Sequence, residues 1–346
     1  MLNKYLSARY CLIINIIFTI FYISVFYGLN LTGLSPTLTQ SNIATEAIRG
    51  VLSEDDKSTT FFINIINLVG GYKIATIINF SISLFYINYC FYNNRFIPFQ
   101  LLWILVLLAS TVLFLRIPHK EIVIIFSYFL IYLNYQHFGK KEKITIILII
   151  LFILLYGYFA RTYFLLIAFF YLILFIYVKI SKIQRFYFSI LSIIIFFMIP
   201  LEYLYQLQSH RDLSSYYRIM NPSWEGFRTS FINPLEISSH TNFLINYFYA
   251  FFRLNFPIFF QFTFKEIFHT LIIIGSLYIF FFKKINYKYV NYSFVINLKI
   301  IIFAHFIVLW LFEPDLGSYL RHLLSYYPLL LFFTLNFFTN QLNEKK

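Results

Sequence analysis

Residues 144–178 read ITIILIILFILLYGYFARTYFLLIAFFYLILFIYV, a run in which Arg161 is the only charged residue. A helix needs about 20 apolar residues to cross a hydrocarbon core of about 30 Å. The run is too long for one such helix, and it is interrupted only at Ala160-Arg161-Thr162. It therefore predicts two consecutive spans, 144–160 and 162–178, joined by a turn that carries a cation.

Outward from this pair the same pattern recurs. Further apolar runs at 10–29, 71–92, 99–115, 121–137, 186–204, 266–282, 291–312 and 322–339 bring the expected number of spans to ten. The bulk composition agrees. Of 346 residues, 60% are hydrophobic and only 12% charged, whereas a soluble domain carries about 25% charged residues. The expected fold is all-α: one polytopic transmembrane domain over 1–346 with about ten helices. Cys11 and Cys90 both fall within apolar runs, too few for a disulfide framework or a metal cluster. The first run lacks a small-residue cleavage site and reads as a retained span. The composition leans heavily on Phe, Ile, Tyr, Asn and Lys, so scattered Tyr and Asn within spans carry little information.

The distribution of charge sets the orientation. Lysines cluster in short loops on one side, as in Lys140, Lys141 and Lys143, then Lys179 and Lys182, then Lys283, Lys284 and Lys288. Positive residues mark cytoplasmic loops, which places the N- and C-termini inside. The net charge of +13 is largely this lysine edge, and no nucleic-acid-binding signature accompanies it. Most arginines take the opposite side: Arg49, Arg116, Arg161, Arg211, Arg218, Arg228, Arg253 and Arg321, while Arg95 and Arg185 fall in the inner loops. A positive-inside bias does not explain the outer ones. A guanidinium grips phosphate or carboxylate through a two-pronged fork that lysine lacks, so the outer face is expected to receive an anionic, phosphorylated substrate.

Two outer segments are long. Residues 30–70 form the first. The second, 205–265, opens with a charged, turn-rich part and continues as FLINYFYAFFRLNFPIFFQFTFK, residues 243–265. That continuation is long enough to span, but spanning would put the downstream lysines outside. An interfacial or re-entrant helix fits better.

Candidate site residues follow from this layout. Arg211, Arg218 and Arg228 share the large outer segment, and the first two are seven apart, on one face if that segment is helical. The alternative is a solvated loop that pairs them with Asp212, Glu225 and Glu236. Arg116 and Arg161 sit at outer ends of spans, where snorkelling to lipid headgroups is the competing explanation. Residues 313–322, EPDLGSYLRH, bring Glu313, Asp315, Arg321 and His322 into one short outer loop, where the acids also suit capping of the next helix. His210, Glu313, Asp315 and His322 are the candidates for general-base work on a hydroxyl. No HExxH, GxSxG or glycine-rich phosphate loop is present, so no metal, cofactor or nucleotide is expected.

The segments Arg116-Ile-Pro-His-Lys-Glu121, Ala160-Arg-Thr-Tyr163 and Glu313-Pro-Asp-Leu-Gly-Ser-Tyr-Leu-Arg-His322, within ten or so spans and a large outer loop in the second half, resemble the O-antigen and capsular polysaccharide polymerases called Wzy. Some members carry Arg with Gly eleven positions later in outer loops, and no arginine of this chain has a glycine at that offset. The resemblance implies a membrane glycosyltransferase of the lipid-linked-donor type, GT-C-like in fold, in the bacterial inner membrane. It implies undecaprenyl-diphosphate-linked glycans as substrates, joined at the periplasmic face, and a chain-length regulator as a possible protein partner. Arg116, Arg161, Arg211, Arg218, Arg228 and Arg321 would then hold the diphosphate. A flippase for the same lipid-linked sugar, or a ligase of the same fold, are the alternatives.

Overall fold

A computed structural model describes residues 120–137, 141–220, 230–278 and 292–326 continuously, with Leu329 and scattered positions between 13 and 20 and between 61 and 89. Among the described residues the chain is all-α. In the continuous stretches the helices are α1 Lys120–His137, α2 Glu142–Phe159, α3 Tyr163–Lys179, α4 Lys182–Met198, α5 Leu201–Met220, α6 His240–Asn255, α7 Phe264–Leu277, α8 Tyr292–Phe312 and α9 Leu316–Leu324. A 3-10 turn at Pro257–Phe259 separates α6 from α7. The one β-type pairing among the described residues is an isolated antiparallel bridge between Ser230 and Asp315.

Helices α1, α2, α3 and α8 lie where spans were expected at 121–137, 144–160, 162–178 and 291–312. The expected spans 10–29, 71–92, 99–115 and 322–339 and the segment 30–70 fall wholly or partly outside the described residues. By length and composition, Glu142–Phe159 and Ser293–Phe312 are able to cross a membrane, and a third span is gained if Lys182–Met198 and Leu201–Tyr216 count as one bent helix. Val123–Tyr135, Tyr163–Lys179 and Glu266–Leu277 are apolar but shorter.

Two departures from the sequence expectation have clear causes. The run 186–204 is not one straight span: α4 stops at Met198 and α5 sets off at 87° to it. Pro200 lacks an N–H and disfavours the helical conformation in the residue before it, and Ile199 is indeed extended, with φ −65° and ψ 126°. The second departure is at 313–322, expected as a loop, where α9 already begins at Leu316. Asp315 makes this possible by capping the helix start.

The chain divides into two compact units, the first Met1–Thr162, Ile285–Val290 and Leu324–Lys346, the second Tyr163–Lys284 and Asn291–Leu323. In the first, α1 packs on α2. Tyr128 meets Phe152 edge-on with ring centres 5.3 Å apart, and Ile149 and Ile153 are buried beneath.

In the second unit α8 is the central post. Its apolar residues are spread around the helix rather than confined to one stripe, as in a helix buried on most sides. Of its apolar window 72% is buried, against 28% for α2, so α8 is a core helix and α2 a peripheral one. Helix α3 runs along α8, and α5 and α6 pack on its other sides. Leu204 of α5, Phe243 of α6 and Leu311 of α8 form one apolar cluster at this junction. Helix α4 is the opposite case: no residue of it is fully buried, and Ile183, Tyr187 and Met198 are 71%, 65% and 75% exposed. A helix so apolar and so uncovered needs an apolar surrounding.

Candidate functional site

The site is built at the end of α8. Glu313 still donates its N–H to the Leu309 carbonyl at 2.9 Å, so it closes the last turn of that helix. Two residues on, the Asp315 carboxylate accepts the Ser318 N–H at 2.9 Å and its backbone carbonyl accepts the Tyr319 N–H at 3.0 Å. These are the bonds of an N-cap. Position 317 lies close against this cap, since a Cβ on Gly317 would lie 3.1 Å from Asp315 Oδ1. The tight cap folds α9 back on the end of α8, and His322 Nδ1 meets Glu313 Oε1 in a hydrogen bond.

Both members of the pair are buried. Burial alone would raise the Glu313 pKa. The charge and hydrogen bond of His322 outweigh it, with smaller contributions from Ser318 and Arg321, and hold the carboxyl below the ordinary glutamate value. Arg321 stands next to the pair and donates from Nη2 to Ser318 Oγ at 3.3 Å. On the far side of the imidazole is Tyr163, with ring centres 6.2 Å apart, itself stacked on Phe312.

Four further contacts fix this hairpin. Trp310 Nε1 donates to the Tyr319 hydroxyl at 3.0 Å, and that hydroxyl donates to Asn255 Oδ1 at 2.8 Å. Burial pushes the Tyr319 pKa up, which keeps the hydroxyl protonated and able to act as the donor. Ser215 Oγ reaches the Pro314 carbonyl at 3.4 Å. The bridge from Ser230 to Asp315 ties in the segment before α6.

Arg211 of α5 is 1% exposed. Its Nη1 donates to the Trp310 carbonyl at 3.2 Å, one turn before Glu313, and its Nη2 donates to Asn233 Oδ1. Phe231 lies under the guanidinium at 5.5 Å. Asp212 is 3.6 Å from Nε, too far for a hydrogen bond. Instead Asn233 mediates: its amide donates to both Asp212 oxygens at 2.7 and 2.8 Å and to Gln208 Oε1 at 3.3 Å. Asn246 of α6 extends the network. It donates to Gln208 Oε1 at 3.3 Å, and it clamps the Leu235 backbone by taking its N–H at 3.1 Å and giving to its carbonyl at 2.7 Å.

Of the residues singled out in the sequence, Glu313, Asp315, Arg321 and His322 come together on one hairpin, and Arg211 is joined to them through the Trp310 carbonyl. Within that group Asp315 acts as a cap, and Arg211 spends its guanidinium on protein acceptors. His210 and Arg218 lie on α5. Arg161 belongs to the first unit, where it is buried in the turn after α2 and its N–H bonds the Tyr156 carbonyl at 2.9 Å. Arg116 and Arg228 lie outside the described residues. Sequence reasoning missed Gln208, Asn233, Asn246, Asn255 and Tyr319. A signal existed for Asn246, an amide in the middle of the apolar run FLINYFYAFF, residues 243–252.

Chemically, a carboxylate that orients an imidazole is a proton-transfer pair, and the neighbouring guanidinium suits an anion. Among the described residues no group of three His, Cys, Asp or Glu side chains is placed to hold a metal ion. No family model, curated protein or solved structure matches the chain.

Proposed function

We propose that this chain is a GT-C-like, polytopic protein of the bacterial inner membrane that polymerises undecaprenyl-diphosphate-linked oligosaccharide repeat units at the periplasmic face. The observation that carries the reading is the buried Glu313–His322 pair, set beside Arg321 at the end of an apolar helix able to cross a membrane.

In this mechanism Glu313 accepts the Nδ1–H of His322 and so fixes the tautomer in which Nε2 is the basic nitrogen. His322 takes the proton of the acceptor sugar hydroxyl as the oxygen attacks the anomeric carbon of the donor. The glycosidic bond to the lipid carrier breaks, and undecaprenyl diphosphate leaves with the bonding electron pair. Arg321 stabilises the charge that develops on that diphosphate. Both substrates carry prenyl tails, so confinement in one bilayer brings them together. Arg218 and Arg228 are proposed to guide the same anion. A chain-length regulator is the proposed protein partner. Support for a lipid surrounding comes from α4, whose apolar side chains are uncovered, and from the lysine-rich loops on the proposed cytoplasmic side.

Purified chain in lipid nanodiscs, supplied with lipid-linked repeat units, tests the reading. Replacing His322 with Gln is expected to slow polymer formation by about 10²–10⁴-fold, the usual effect of removing a general base, and Arg321→Lys to slow it less. Full polymer yield from both variants would end the proposal. A deletion strain separates the alternatives. Single repeats displayed outside point to a polymerase, repeats stranded on the inner leaflet to a flippase, and unattached long polymer to a ligase.

A further inference from the structure

The turn between α6 and α7 reads FPIFFQFTF over residues 256–264. Its outward side is unusually apolar. Phe259, Phe262 and Phe264 are 79%, 79% and 84% exposed, more than a water-facing turn would carry without reason. Its inward side is fixed. Pro257 is buried, and the preceding Asn255 is fully buried with its Oδ1 held by the Tyr319 hydroxyl.

The first part of this turn satisfies most of its own backbone. The N–H of Phe256 bonds the Phe252 carbonyl at 2.9 Å, that of Phe259 the Phe256 carbonyl at 3.1 Å, and those of Phe260 and Gln261 the Pro257 carbonyl at 2.9 and 3.1 Å. Proline has no N–H to satisfy. These four donors, all at or before Gln261, need no further partner where they meet hydrocarbon. Depth is limited at its end, however. Thr263 caps α7 without a side-chain hydrogen bond, so the first N–H groups of that helix need water or a headgroup. Beside the phenylalanines, the Arg253 guanidinium lies 4.6 Å above the Phe260 ring. A cation held on a ring of the same turn as three exposed phenylalanines suits the boundary of a phospholipid leaflet, where acyl chains meet phosphate.

We infer that residues 256–264 form an interfacial wedge: Phe259, Phe262 and Phe264 enter the acyl region of the outer phospholipid leaflet while Arg253 meets the phosphate layer. The inference rests on the membrane placement proposed above. Its consequence follows from the Asn255–Tyr319 hydrogen bond, which ties the wedge to α9. The wedge thereby sets the height of His322 relative to the lipid phosphates.

Site-directed spin labelling of the full chain tests this. Single cysteines, Phe259→Cys or Phe262→Cys, are introduced into a Cys11→Ser, Cys90→Ser background and labelled in phosphatidylethanolamine–phosphatidylglycerol nanodiscs. Power saturation then compares collisions with oxygen and with a water-soluble nickel chelate. Labels from Glu236→Cys, an exposed site of the outer segment, and Ile147→Cys, 62% exposed on α2, serve as references for water and lipid. The expected result is oxygen contact exceeding nickel contact at 259 and 262, at a depth between the two references. Water-like labels at 259 and 262 beside a lipid-like label at 147 overturn the wedge alone. A water-like label at 147 as well overturns the membrane placement with it. Dipolar broadening at 259 that disappears on dilution with unlabelled chain identifies a second copy as the occupant and also overturns it.

Discussion

Replacing Arg211 with Lys separates two roles for this cation, gripping substrate or holding the site. The guanidinium reaches three places at once: the Trp310 carbonyl at 3.2 Å, Asn233 Oδ1, and the face of Phe231 at 5.5 Å. An ammonium is a point donor at the end of a flexible stem and reaches one of them. The other acceptor is left buried without a partner, which costs about 1–3 kcal/mol. Loss of the ring contact adds about 0.5–1 kcal/mol. Asp212 contributes little, because it lies 3.6 Å from Nε and its side chain is 33% exposed. The sum is a loss of about 1.5–4 kcal/mol, on the order of 5 °C in melting temperature. Thermal unfolding in nanodiscs measures that loss. Polymerisation assayed well below the transition should show a KM for the lipid-linked donor close to that of the parent chain. If Arg211→Lys is as stable as the parent yet raises that KM tenfold or more, Arg211 grips the diphosphate and the holding role is refuted.

Because the Glu313 carboxyl is held below its unfolded value of about 4.3, its stabilising contribution is complete above that value and is lost as pH falls through the folded one. Unfolding scans should therefore hold level from about pH 7 to pH 5 and fall below about pH 4, and Glu313→Gln should lessen that acid fall. Tyr319→Phe removes the hydroxyl between Trp310 and Asn255 and strands two buried groups. A loss of about 2–4 kcal/mol is expected, with a change in Trp310 emission that a wild-type spectrum would contradict. At α4, Ser181 accepts the Gln184 N–H at 3.4 Å while Gln184 Oε1 accepts the Ser181 N–H at 2.9 Å, a reciprocal cap. Ser181→Ala should cost about 0.5–1 kcal/mol, the low end for a cap because the first bond is long, and circular dichroism during thermal unfolding reads it.

What the sequence made legible was local. Apolar runs of helical length marked α1, α2, α3 and α8, because burial and length are set within a single stretch. The 313–322 segment was legible for the same reason: Glu313 and His322 are nine residues apart, and one cap at Asp315 brings them together. The bend at Pro200 was readable in principle, yet the apolar run around it masked it. Arg211 was hidden for a different reason. Its neighbours in sequence suggested a solvated charge cluster, whereas its partners Asn233 and Trp310 come from elsewhere in the chain. The amides of that network looked like compositional background, since asparagine is common in this chain, and even Asn246, the one amide within the run 243–252, was passed over with them. Spacing along a helix shows which face a cation shares. It does not show whether another helix covers that face.

Helix α4 keeps no side chain fully enclosed, and its neighbours across the elbow are positioned by other contacts. Apart from Phe196, which packs on the Leu204–Phe243–Leu311 cluster, and Phe197, which meets His240, its apolar positions can interchange among Leu, Ile, Phe and Val with little effect on packing. In a lineage of related chains, α4 should accordingly drift fastest, with its oiliness preserved and its identities free, while Gln208, Asn233 and Asn246, invisible as chemistry, stay put.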